Sequence, residues 1–316
     1  MPEKMNAGAG RAGLKRGLAR LPLGMGRTDS PLFGYILTAP SIILMLILLF
    51  LPMAYSFYLS FIDTDLTNQM GKFIGLTGYL RIFQEPYTWV VLQNSFVWTL
   101  AVTFFQFVAG LGAALLLNQM IHGKWFFRSI TVLPWIIPGI VAAMIWRLFY
   151  DAQLGFLNNA LLKTGLWKGY IDWLGTPGLA MFAVILVAIW KGFGFSMLMY
   201  LAALQTVPNE QYESSIIDGA NPIQQFFYVT FPNISSVIRI TLLLTSVWTF
   251  NYFDIIYAMT GGGPIRSTHI APTFIYELAF RNFNFGEASR FAVFSFVIVS
   301  AVSIVYINRI WKKEGF

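Results

Sequence analysis

From Pro31 to Ile62 no residue carries a charged side chain. A run of that length exceeds the ~20 residues an α-helix needs to cross a bilayer. It is also too long for the apolar core of a cleavable signal peptide, so it reads as an uncleaved first span. Five more apolar runs follow near residues 92–117, 128–149, 178–204, 236–259 and 289–309. In hydrocarbon every backbone N–H and C=O must find a partner within the protein, which makes α-helices of such runs. Composition agrees: 57% of the 316 residues are hydrophobic and 11% charged, against roughly 25% charged in soluble domains. The expected fold class is all-α and integral to the membrane, with six transmembrane helices.

Six spans put both termini on one side, and charge selects that side. With the termini inside, twelve Lys and Arg residues are cytoplasmic and seven are outside, while Arg147 and Lys191 fall within spans. The positive-inside rule therefore predicts cytoplasmic termini. Residues 1–30 read as a flexible basic tail, 31–311 as the transmembrane domain and 312–316 as a short cytoplasmic tail. The net charge of +7 sits mainly in tails and loops, which suits a membrane surface rather than a nucleic acid. The absence of cysteine excludes a disulfide framework, a Cys-based metal site and a thiol nucleophile. His122 and His269 are far apart in the chain, and neither is assigned to a metal or to catalysis.

One stretch departs from the apolar pattern. Residues 207–232, VPNEQYESSIIDGANPIQQFFYVTFP, place Glu210, Glu213 and Asp218 between two spans. Pro208 suits the first turn of a helix, with Glu210 and Glu213 near its positive end. The pattern predicts a helix from about Pro208 to Asp218, which Gly219 can end in the left-handed conformation. Asn221 is then an N-cap, Pro222 takes the first helical position and Gln224 completes a capping box. That second helix is expected to stop before Pro232. Such a polar, capped helix pair is either an ordinary connection or an element that docks on a soluble partner.

The same residues resemble the EAA loop of permease subunits of binding-protein-dependent ATP-binding-cassette (ABC) importers, specifically the maltose-type sugar permeases. Pro208, Tyr212, Glu213, Asp218, Gly219, Ala220, Phe226 and Pro232 match that pattern in order. Ser214 and Ser215 stand where alanines are usual, and Phe231 precedes the closing proline. Trp146-Arg147, Trp173-Leu174, Trp190-Lys191-Gly192, Phe253-Asp254 and Thr260-Gly261-Gly262-Gly263-Pro264 extend the similarity over about residues 30–312. The resemblance implies a type I ABC importer permease fold with a cytoplasmic coupling-helix loop. It implies that Glu210, Tyr212, Glu213, Ser214, Ser215, Asp218, Gly219, Ala220 and Phe226 couple to an ATPase.

Within the spans, Arg147 either snorkels to the surface or lines a pathway. Lys191 either faces a water-filled cavity or pairs with a carboxylate such as Asp254. Polar and aromatic groups from Trp248 to Asp254 suit either a passage for polyols or helix packing. The resemblance implies the first, with Gly192, Phe195, Trp248, Thr249, Asn251 and Tyr252 as sugar contacts at the membrane midplane.

No Gly-x-x-x-x-Gly-Lys-Ser/Thr run occurs, so the chain is not expected to bind ATP itself. It carries no expected catalytic residue, metal or cofactor; ATP and Mg belong to the ATPase. The resemblance further implies a second homologous permease, two copies of an ABC ATPase, an extracytoplasmic solute-binding protein and a bacterial cytoplasmic membrane. The expected function is import of a sugar or related polyol. The alternatives are an ion-gradient-driven secondary transporter, a membrane-embedded enzyme, or import of glycerol phosphate esters by the same architecture.

Overall fold

The computed structural model describes residues 31–64, 71–120 and 122–314. The expected tail at 1–30, and residues 315 and 316 of the expected tail at 312–316, lie outside the described residues. The chain divides into two units, the first ending at Tyr58. In it α1 (Pro31–Met45) continues through a π-helical turn, Leu46–Phe50, into α2 (Leu51–Leu59). The wide turn has a local cause. Pro52 has no N–H, and its ring would press on the carbonyl four residues back. A turn in which Leu51 N–H reaches the Leu46 carbonyl shifts that carbonyl aside. Residues Gly34–Leu59 are long and apolar enough to cross a membrane.

The second unit begins with a two-stranded hairpin, β1 (Ile62–Asp63) antiparallel to β2 (Lys72–Phe73). Then come α3 (Thr77–Gln84), α4 (Pro86–Gln119), α5 (Lys124–Ile136), α6 (Gly139–Phe149) and α7 (Phe156–Lys163). α8 (Leu179–Leu204) leads to α9 (Asn209–Ile217), α10 (Pro222–Gln225), α11 (Phe231–Phe250) and α12 (Asp254–Met259). The chain ends with α13 (Ala271–Tyr276) and α14 (Phe285–Glu314). Among the described residues, five helical stretches are long and apolar enough to span a membrane, or six if α5 and α6 form one broken span.

α4 and α8 form the centre. They approach closely because Gly110 has no Cβ: one added there would stand 2.7 Å from the Ser196 Cβ and 3.0 Å from the Met197 nitrogen. Small residues at a helix interface let backbones meet where lipid offers no hydrophobic drive. Two clusters of buried side chains grow from this pair. One gathers Trp98, Val184, Ile255, Ile256 and Met259 from α4, α8 and α12. The other gathers Leu111, Tyr200, Leu201, Ile234 and Ile238, and takes in Tyr212 and Phe226 from the polar stretch.

Three expectations are corrected. The span expected at 128–149 is not one helix: α5 and α6 meet at 96°, broken at Ile137 and Pro138. Pro138 removes one helical hydrogen bond and biases the residue before it to extended backbone, which Ile137 adopts. The helix expected to stop before Pro232 runs on into the fifth span. A π-helical turn at Phe226–Thr230 gives Pro232 the room that Leu46–Phe50 gives Pro52. Pro208 caps α9 rather than opening it, and Asp218 lies beyond its last residue.

The connections between spans are ordered by charge. Glu277 receives Arg266 at 3.1 Å and His269 at 2.7 Å. Burial pushes the His269 imidazole below its usual pKa, and the carboxylate of Glu277 offsets only part of that. At the hairpin, buried Arg290 of α14 donates to the Ile62 carbonyl at 3.0 Å and pairs with Asp63 at 3.5 Å, while Arg81 takes the other Asp63 oxygen at 3.2 Å. Replacing Arg290 by Met leaves the Ile62 carbonyl without that donor, a loss of about 1–3 kcal/mol. Trypsin should then cut at Lys72 and Arg81 several-fold faster than in the unaltered protein, and an unchanged cleavage rate would contradict this anchoring.

Candidate functional site

Local chemistry builds the polar stretch as two rigid pieces. At the end of α9, Gly219 N–H bonds the Ile216 carbonyl at 3.0 Å and Ala220 N–H bonds Ser215 at 2.9 Å, with Gly219 at φ +78°. This pair of bonds is a Schellman ending, which needs a left-handed residue. Two residues on, Asn221 and Gln224 exchange side-chain and backbone bonds at 2.8 and 2.9 Å, the expected capping box, with Pro222 first in α10.

The stretch is bolted to the fifth span. The Tyr212 hydroxyl meets Thr230 Oγ1 at 3.0 Å, and Asn233 donates to Gln211 at 2.7 Å. Ser215 turns back to the Tyr212 carbonyl at 2.7 Å. Of the residues expected to couple to an ATPase, Tyr212, Ser215, Ala220 and Phe226 therefore face inward and are half-buried. Glu210, Glu213, Ser214, Asp218 and Gly219 are exposed. Beside them stand exposed Ile216, Ile217, Ile223, Phe227 and Tyr228, with Ile217 at 86% and Tyr228 at 80%. Sequence reading had passed over these five. The signal was there: large apolar side chains in a polar, capped segment have no core to enter and read as a contact surface.

The expected sugar contacts do not all converge. Phe195 of α8 meets Trp248 of α11 with ring centroids 5.0 Å apart, and Trp135 of α5 lies 5.6 Å from Phe195. Trp135 was not anticipated. These three rings form an open aromatic group, with Lys191 donating to the Trp135 carbonyl at 3.4 Å. Thr249 and Tyr252 turn the other way. The Thr249 carbonyl accepts from buried Trp98 at 2.9 Å, and the Tyr252 ring lies 6.3 Å from Trp98. Asn251 is exposed, bonds back to Val247, and lines a separate cleft with Ala271, Ile275 and Ser295. Gly192 is filled by the Gln106 amide, which donates to the Ala188 carbonyl at 2.9 Å. Lys191 and Asp254 do not close an ion pair: Lys191 donates to the Trp135 carbonyl, and the Asp254 carboxylate packs against Gly139. No group of His, Asp, Glu or Cys among the described residues has the arrangement of a metal site.

Apolar spans, one of them broken between α5 and α6, with one polar helix pair held rigidly between two others, fit the membrane subunit of a transport system. The chain belongs to the family described as binding-protein-dependent transport system inner membrane component, whose profile matches residues 106–312. It is 34% identical to the trehalose/maltose transport system permease protein MalF of Thermococcus litoralis, over 87% of this chain and 92% of that one. It is 33% identical to the sulfoquinovosyl glycerol transport system permease protein SmoG of Agrobacterium fabrum, over 99% and 100%. Its fold is similar to that of a chain in the crystal structure of a bacterial alginate ABC transporter in complex with an alginate pentasaccharide-bound periplasmic protein. That likeness has a TM-score of 0.78 at 22% identity, over 89% of this chain and 94% of that one.

Proline at position 219 cannot reach φ +78° and has no N–H for the Ile216 carbonyl. Gly219→Pro should insert in the membrane at normal yield and lose solute uptake, whereas Gly219→Ala, costing roughly 1 kcal/mol at a left-handed position, should keep most of it. Both are read by a vesicle uptake assay, and normal uptake by Gly219→Pro would contradict a role for the corner.

Proposed function

We propose that this chain is one transmembrane subunit of an ABC importer for a sugar or related polyol. A second, similar permease completes the passage, two copies of an ATPase subunit hydrolyse ATP with Mg, and an extracytoplasmic solute-binding protein delivers the solute. Both termini and the 207–232 loop face the cytoplasm, where the ATPase meets the loop. The chain itself performs no chemistry.

The observation that carries this reading is the face of α9 and α10. It joins exposed acids, Glu210, Glu213 and Asp218, to exposed Ile216, Ile217 and Ile223, on a backbone braced at Gly219 and Asn221. Family membership supports an ATPase as the occupant. The aromatic group of Trp135, Phe195 and Trp248 supports a sugar, because aromatic faces stack on the apolar faces of sugar rings. The relatives named for transport of trehalose or maltose and of sulfoquinovosyl glycerol point to sugars or glycosides as well.

ATP closes the ATPase pair, the loop moves with it, and the spans switch between inward-open and outward-open forms. Such coupling requires ATP and solute each to bind the two forms unequally. Gentle-detergent purification of this chain from its own membrane should recover a P-loop ATPase and a second permease, with ATPase activity stimulated by the solute-loaded binding protein. A chain that elutes alone and takes up solute only on an ion gradient would overturn the proposal.

A further inference from the structure

Three charged side chains lie within or at the ends of the spans around the break in the third, and each sits on a helix end. In a straight helix the Trp135 carbonyl would accept from the Gly139 N–H, four residues on. The 96° bend between α5 and α6 removes that bond. Lys191 Nζ now donates to the Trp135 carbonyl at 3.4 Å. The carboxylate of Asp254 packs against Gly139, so closely that a Cβ there would overlap it. A cation thus stands at the carbonyl end of α5 and an anion at the amide end of α6, the favourable sense at each.

Asp254 is also the first residue of α12, so one carboxylate stands at the N-terminal ends of both α6 and α12. At the opposite ends Arg147, in the last turn of α6, donates to the Ala258 carbonyl in the last turn of α12 at 3.2 Å. The two short helices are held together at both ends.

We infer that Lys191 and Asp254 are positioning residues that hold the third span broken, Lys191 on the Trp135 carbonyl that the bend frees and Asp254 packed against Gly139 at the start of α6, while Asp254 and Arg147 lock α6 to α12 as one body. Lys191 in this account binds no solute. Its charge holds the α5 end beside the aromatic group, with the α6–α12 body set across the bend from it.

The chain contains no cysteine, so spin labels can be placed at Ile130 and Leu148, both exposed on either side of the break. In the assembled, reconstituted transporter, double electron-electron resonance should give one narrow distance for the otherwise native chain. Lys191→Met and Asp254→Asn should each raise the population at longer distances about tenfold, while Lys191→Arg should keep the native distance. Gly139→Ala, which displaces the carboxylate without removing its charge, should broaden the distribution too and decides the case if a charge variant fails to assemble. Unchanged distributions in Lys191→Met, Asp254→Asn and Gly139→Ala would overturn the inference.

The uptake arm rests on the proposed function. A positioning role lowers the maximal uptake rate in Lys191→Met and leaves KM for solute within about twofold. A raised KM with a native distance would overturn the inference and make Lys191 a solute contact. If no form of the transporter takes up solute, the transport reading fails and the distance measurement still decides the inference.

Discussion

Hydrocarbon leaves no backbone polar group without a partner, and this one constraint accounts for most of the architecture. It keeps the spans helical through prolines that would end a helix in water: at Pro52 and Pro232 a π-helical turn makes room for the ring and the helix continues. Where the backbone does break, at Ile137 and Pro138 and again between Phe250 and Asp254, Ile137, Tyr252, Phe253 and Asp254 are half-buried while Pro138 and Asn251 are exposed. Side chains then attend to the freed ends, Lys191 on one carbonyl and Asp254 beside an amide end. Intramembrane charge, costly in isolation, is located where helix ends offer it compensation.

The polar loop follows another logic. Its rigidity comes from local bonds that need no tertiary support, a Schellman ending at Gly219 and a capping box at Asn221 and Gln224. It is tied to the spans by the hydrogen bonds of Tyr212 with Thr230 and of Asn233 to Gln211, and by Tyr212 and Phe226 packing against the buried cluster of Tyr200, Leu201 and Ile234. The π-helical turn leaves no loop between α10 and α11, so the second half of the element is continuous with the fifth span. A displacement of α10 is thereby a displacement of the span.

Much of this was legible in the chain itself, and the failures have physical causes. Apolar runs gave the number and approximate place of the spans, and the corner at Gly219 with its N-cap at Asn221 followed from local propensity alone. Pro138 and Pro232 show where such reading stops. Both prolines sit in helical, apolar surroundings, yet one breaks the span and the other is absorbed by a wider turn, a choice made by packing. The intramembrane site was half legible. Phe195 and Trp248 meet, but Thr249, one position on and ~100° around the helix, turns into the core, and Tyr252 lies beyond the helix end at Phe250, where helical periodicity no longer fixes its direction. Trp135 joins the group through the packing of α5 on α8, a contact between segments about sixty residues apart that the sequence alone does not show. The exposed pair Ile216-Ile217 was passed over because matching to a motif directs attention to the polar positions that define it.

The central claim is mechanical: the loop and the fifth span move as one body, α10 through continuous helix and α9 through the contact of Tyr212 with Thr230. The measurement that tests it most directly is the number of ATP molecules hydrolysed per solute imported by the reconstituted transporter, compared between the native chain and one carrying Tyr212→Phe with Thr230→Val. With the hydroxyl contact removed, the ratio should rise several-fold while ATPase activity is retained. A ratio equal to that of the native chain would contradict the claim and place the transmission of force elsewhere in the loop.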